Sequence, residues 1–101
     1  MKSQSRQLPE EREKCAHIAE ILRAIAHPLR IRILASLVEE ETHVNALAIR
    51  LMTQQAIVSQ QLRILRARKL VAVTREGGFA RYRISEPKLR DLLKCLEGCS
   101  T

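Results

Sequence analysis

The stretch from Val44 to Ile84 carries the pattern that most constrains what this chain can fold into. Its first part repeats apolar residues every three to four positions, as one face of a short helix requires, and the repeat breaks at Met52. A second helical repeat follows. Two strand-like runs come next, separated by Gly77 and Gly78, which permit the positive φ angles of a tight hairpin turn. This order predicts a helix-turn-helix over residues 44–66 and a β-hairpin wing over residues 71–84.

The second helix of that pair has two contrasting faces. Its apolar residues Val58, Leu62 and Leu65 recur at helical spacing and are expected to point inward. The opposite face offers a small residue, a hydroxyl, an amide and a guanidinium, which together suit a DNA major groove. We call it the reading face, and it consists of Ala56, Ser59, Gln60 and Arg63.

The charge of the chain favours a polyanionic partner. There are 18 Lys and Arg residues against 11 Asp and Glu, which gives a net charge of +7. The cations are concentrated in the second helix of the helix-turn-helix and in the wing. Phe79 and Tyr82 are the only aromatic residues, too few to stack the bases of a single strand, so double-stranded DNA is the expected partner. The expected DNA contacts are Gln54, Gln55, Ala56, Ser59, Gln60, Arg63, Arg66, Arg75 and Arg81.

The flanking segments complete a single, mainly α-helical domain over residues 1–101. Residues 1–8 are polar and expected to be loose. A last helix is predicted over residues 87–98, with a leucine stripe on one face and with Ser85 as its cap. Ahead of the helix-turn-helix, Pro9 begins a first helix. Its apolar stripe consists of Cys15, Ile18, Ala19, Leu22, Ile25 and Ala26.

Another helix is predicted between the first helix and the helix-turn-helix, over about residues 29–39, with Ile33, Leu34, Leu37 and Val38 turned inward. Pro28 either ends the first helix or begins this one. His27 stands directly before that proline. We expect His27 to form a hydrogen bond at the helix end rather than to bind a metal.

Three segments together carry a resemblance to a known family. They are residues 24–34 (AIAHPLRIRIL), 58–62 (VSQQL) and 75–84 (REGGFARYRI), in that order. Over roughly residues 18–87 the chain resembles the ArsR/SmtB family of bacterial winged-helix repressors. The resemblance implies a homodimer, formed through the first and last helices, that binds operator DNA and releases it when a small inducer arrives. Two-fold symmetry then predicts a roughly palindromic operator.

The metal sites of that family find poor counterparts here. The Cys-x-Cys pair that many members carry before the turn corresponds to His43 and Asn45, and one imidazole with one amide cannot reproduce a thiolate site. The Asp-x-His motif of the last helix corresponds to Glu86, Pro87 and Lys88. Because a lysine ammonium has no lone pair to donate, no required metal or other cofactor is expected.

The three cysteines are the remaining candidates for sensing. Cys95 and Cys99 lie one turn apart on the last helix, and Cys15 belongs to the first helix, the expected neighbour of the last. Converging thiolates suit arsenite, and two thiols from different helices can form a disulfide or polysulfide bridge after oxidation. The alternative is that these residues only pack. Residues 53–62 resemble the sulfide- and redox-responsive branch of the family, but Ala35 stands at about the position of that branch's second-helix cysteine.

Other classes of function find little support in the sequence. The chain has no nucleophile elbow, phosphate-binding glycine loop or paired carboxylate motif, so we do not expect an enzyme. No run approaches the ~20 apolar residues of a membrane span, and a cytoplasmic location is expected. The alternative is a winged-helix module that binds another protein. Such a module would not need cations concentrated on the second helix of the pair and on the wing.

Overall fold

The computed structural model of the protein describes residues 9–98, without the side chains of residues 96–98. Residues 1–8, predicted to be loose, and Cys99 therefore lie outside the described residues. The elements in chain order are α1 (Pro9–Ile25), α2 (Pro28–Glu39), α3 (Val44–Leu51), α4 (Gln55–Ala67), β1 (Val71–Glu76), β2 (Phe79–Ile84) and α5 (Pro87–Gly98).

One hydrophobic core lies between the helices and the base of the hairpin. The apolar faces predicted for α2, α3 and α4 all point into it. Its fully buried side chains are Ile33, Leu34, Leu37, Leu47, Val58, Leu62, Leu65 and Leu89. The helical periodicity of the sequence therefore predicted correctly which faces of these three helices turn inward.

The first helix is only partly covered by the rest of the chain. Ile21, Ala24 and Ile25, in its C-terminal part, are buried. Ile18 and Leu22 are 44% and 47% exposed. A single chain thus leaves much of the α1 stripe at its surface, which an apolar helix face tolerates best when a second surface covers it.

Two residues cap the ends of helices. His27 accepts a hydrogen bond at Nδ1 from the backbone N–H of Leu29 at 3.2 Å, which confirms its predicted role at the start of α2. The prediction that Ser85 caps α5 is wrong. Its hydroxyl donates to the carbonyl oxygen of Lys69 at 3.0 Å, and a carboxylate oxygen of Glu86 instead accepts from the N–H of Lys88 at 3.2 Å. Glu86 is the residue directly before Pro87, so it occupies the capping position itself.

The wing is an antiparallel hairpin with a two-residue turn. Glu76 pairs with Phe79 at its tip, and both intervening glycines have positive φ, +53° at Gly77 and +87° at Gly78. Thr42, in the loop between α2 and α3, forms a backbone bridge to Tyr82 with N···O distances of 3.3 and 2.8 Å. The hairpin is therefore attached to the loop that leads into the helix-turn-helix.

Candidate nucleic-acid interface

The turn between α3 and α4 sets the direction of α4 relative to α3. Met52 ends α3 in the left-handed conformation, with φ of +50°. The N–H of Thr53 donates to the carbonyl of Ala48 at 3.0 Å, and its hydroxyl donates to the carbonyl of Leu51 at 3.0 Å. These bonds satisfy carbonyls at the end of α3 and close the turn tightly.

The reading face of α4 is turned away from the core. Ala56, Gln60 and Arg63 are exposed, and Ser59 is half-buried. Gln54 and Gln55 are exposed at the start of the helix, where the Gln54 side chain makes no capping hydrogen bond. The first amide groups of α4 are therefore left without a side-chain cap from Gln54, and their positive partial charge favours an anion.

The cations around this face differ in how they are paired. Among the described residues, no hydrogen bond or ion pair engages the side chains of Arg63, Arg66 or Arg75. Arg81, by contrast, lies 3.2 Å from a carboxylate oxygen of Glu76. It also lies 4.0 Å from a carboxylate oxygen of Glu41. The arginines predicted to contact DNA from α4 and β1 therefore carry an unpaired charge, whereas Arg81 is paired with two carboxylates.

Two arginines elsewhere serve the fold itself, a role that no local pattern in the sequence indicates. Arg32 on α2 donates from Nη2 to the carbonyl of Leu51 at the end of α3, at 2.9 Å. Arg50 donates to the buried Ser36 hydroxyl at 2.7 Å and to Glu40 at 2.9 Å. Both brace α3 against α2, so the first helix of the helix-turn-helix is held by polar as well as apolar contacts.

A second surface feature lies on the side of the first and last helices. An open apolar groove of about 320 Å³ runs between them, and we call it the α1–α5 groove. Beside it, His17 of α1 lies 3.2 Å from a carboxylate oxygen of Glu86. The groove is lined by Ile18, Ile21, Leu22, Lys88, Asp91 and Leu92.

Comparison with known proteins identifies the family. A sequence model described as a bacterial regulatory protein of the arsR family matches residues 27–73. The biofilm growth-associated repressor of Agrobacterium fabrum is 33% identical over 89 residues, which is 88% of this chain and 76% of that protein. The chain belongs to the ArsR family.

Two solved structures agree with this assignment. The transcriptional repressor BigR of Xylella fastidiosa has 30% identity and a TM-score of 0.81, over 94% of this chain and 98% of that one. The homodimeric winged helix-turn-helix DNA-binding domain of a possible ArsR-family regulator from Mycobacterium bovis has 26% identity and a TM-score of 0.77, over 93% and 87%. The protein is a winged helix-turn-helix transcriptional repressor of the ArsR/SmtB type rather than an enzyme. Among residues 9–98, no helix is both long and apolar enough to cross a bilayer.

The residues at the two positions where the family resemblance implies metal ligands make other contacts in this chain. The His43 ring packs against that of Phe79, and Glu86 caps α5 and contacts His17. Within the described part of the chain, no group of three or more His, Cys, Asp or Glu side chains is placed to hold a metal ion.

Two of the candidate sensing cysteines lie on the two helices that flank the α1–α5 groove. Cys15 and Cys95 are both exposed, and Cys99 lies outside the described residues. Cys95 is nine residues beyond Glu86, which places it roughly 13 Å further along the axis of α5. The α1 contact at the start of α5 comes from His17, close to Cys15. Within one chain, Cys15 therefore lies nearer to the start of α5 than to its end.

Proposed function

We propose that this repressor binds its operator as a homodimer, with the reading face of each α4 in the major groove and the wings on the flanking phosphates. The exposure of Ala56, Gln60 and Arg63 supports this assignment, because base readout requires side chains that are free to reach base edges. The unpaired charges of Arg63, Arg66 and Arg75 support phosphate contacts. The observation that carries the proposal is that α4 has a fully buried apolar face opposite its reading face. The buried face holds the helix in the core, and the reading face is left exposed to solvent.

The α1–α5 groove is the proposed dimer interface. Its walls are mainly apolar, apart from Lys88 and Asp91 on α5, and Ile18 and Leu22 remain almost half exposed in the single chain. Covering them with a second copy would remove this area from water and add stability that a chain of 101 residues needs. A relative of the same fold is described as homodimeric, which supports the same assembly.

A thiol-directed signal is the proposed cause of release from DNA. Exposed cysteines on α1 and α5 are accessible to oxidants, reactive sulfur species or arsenite, and they stand beside the proposed interface. The likeness to BigR supports the resemblance of residues 53–62 to the sulfide- and redox-responsive branch. Because Cys15 lies nearer to the start of α5 than to its end within one chain, we propose that a bridge between Cys15 and Cys95 forms between the two copies of the dimer.

The test begins with an operator selected by the wild-type protein from a random duplex library. Gln60→Ala and Arg63→Ala should each weaken binding to it by about 1 to 3 kcal/mol, measured by fluorescence anisotropy, while the melting temperature is unchanged. Arg23→Ala is the matched control, since Arg23 is exposed on α1 and is turned roughly 100° to 140° around the helix from Leu22 and Ile18. Unchanged affinity in both reading-face variants would remove α4 from the DNA.

A further inference from the structure

Arg30, on α2, joins three helices through one side chain. Its Nε donates to Oε1 of Gln61 on α4 at 2.8 Å, and its Nη1 donates to the carbonyl oxygen of Ala24 on α1 at 2.8 Å. Both bonds are partly buried, and Arg30 and Gln61 are each half-buried. The guanidinium therefore lies between the last turn of α1 and the side of α4, away from the exposed reading face.

The chemistry of this contact is directional. A guanidinium is planar and its N–H groups point in fixed directions, so two acceptors bound to it are held at a fixed relative position. The carbonyl of Ala24 is in the last turn of α1, where carbonyls lack an intrahelical partner and a positive charge is favourable. Gln61 is the neighbour of Gln60 in the chain, so the orientation of Gln61 sets that of the reading face.

The rest of the packing of α4 does not supply the same constraint. Val58, Leu62 and Leu65 hold the helix in the core, but apolar contacts are not directional and permit small rotations and shifts. Among residues 9–98, Gln61 is the only α4 side chain that forms a hydrogen bond to a side chain of another element. This polar contact thus adds a directional constraint to the rotational setting of the helix that carries the reading face.

We propose that Arg30 is a positioning residue for operator recognition, which sets the orientation of α4 against the C-terminal end of α1. The inference rests on the proposed function, in which α1 belongs to the dimer interface and α4 reads the DNA. In that assembly the relation of α4 to α1 determines how two reading faces are spaced across the two-fold axis. Half-site spacing follows the pitch of DNA, so a small misorientation costs affinity for the operator specifically.

The experiment uses Arg30→Lys, which keeps the net charge but cannot reproduce the two fixed bonds. Affinity for the selected operator should fall about tenfold, the scale of losing one charge-assisted hydrogen bond. Affinity for unrelated duplex, and the salt dependence of binding, should stay at the wild-type values, because no phosphate contact is lost. A Gln61→Ala variant should show the same loss, and the double variant should be no worse than either single variant.

Other outcomes overturn the proposal. If Arg30→Lys weakens both duplexes equally and flattens the salt dependence, Arg30 contacts phosphate directly. If it lowers only the melting temperature, and the operator-to-unrelated ratio measured well below that temperature is unchanged, the contact is merely structural. Losses that add in the double variant would separate Arg30 from Gln61. If Gln60→Ala and Arg63→Ala also leave operator affinity unchanged, then the proposed function itself fails, which a failure at Arg30 alone does not imply.

Discussion

The ring of Phe79, at the tip of the wing, lies 5.3 Å from the ring of His43 at the start of α3, with the two planes tilted by 49°. The Thr42 bridge to Tyr82 and the contact of Arg81 with Glu41 join the hairpin to the same loop, between α2 and α3. Because Phe79 is 64% exposed, the contact does little for the core and acts on the direction of the wing. The wing and the helix-turn-helix therefore form one connected surface.

Replacing Phe79 with Ala should loosen the tip of the wing. Ordering it on DNA would then cost free energy, and an aromatic pair of this kind is worth about 0.5 to 1.5 kcal/mol. We expect affinity for the operator and for unrelated duplexes to fall by similar factors in anisotropy titrations. Phe79→Tyr, which keeps the ring, is the control. A loss confined to the operator would mean that Phe79 takes part in base readout instead.

The wing arginines should bind DNA phosphates, and a neighbouring carboxylate should weaken that binding. Arg75→Ala and Arg81→Ala should each weaken binding to all duplexes and reduce the slope of log affinity against log salt by about one. Glu76→Gln should tighten binding, because it removes the carboxylate charge that pairs with Arg81 and competes with DNA phosphates for it. Titrations at several salt concentrations measure all three. Slopes equal to the wild-type value for both arginine variants would exclude the wing from the phosphates.

Introducing a charge into the α1–α5 groove should separate the dimer without unfolding the chain. Leu22→Glu is suited to this, because Leu22 is 47% exposed and does not belong to the core. Deleting residues 88–101 is a less specific test, since it also removes the buried Leu89 and Leu93. Sedimentation should show a folded monomer with much weaker operator binding, because bivalent attachment is lost. A Leu22→Glu protein that remains dimeric would place the interface elsewhere.

The cysteines should be required for release from DNA and dispensable for binding. Cys99→Ser should leave binding by the reduced protein unchanged and abolish release by oxidant, polysulfide or arsenite. Mass spectrometry after each treatment identifies the inducer class by the mass of the adduct. If the protein with Ser at Cys15, Cys95 and Cys99 still releases its operator under all three treatments, the cysteines only pack.

Sequence by itself determined the helices and hairpin between residues 44 and 84. Their signals are local, because a helix face repeats every three to four residues and the Gly77-Gly78 turn lies within one hairpin. The capping role of His27 was predictable for the same reason, since its partner is only two residues away. The outward direction of the reading face followed directly from the inward direction of Val58, Leu62 and Leu65.

Only the tertiary structure decided which arginines serve the fold and which remain available to DNA. Arg30 meets a partner 31 residues away on α4, Arg32 one 19 residues away, and Arg50 one 14 residues away. The sequence pattern does not distinguish an arginine that will bind a carbonyl or a carboxylate from one that will bind a phosphate. The packing of α2 against its neighbours brings these acceptors within hydrogen-bond distance of some guanidinium groups and leaves others exposed, and that difference is set by non-local contacts.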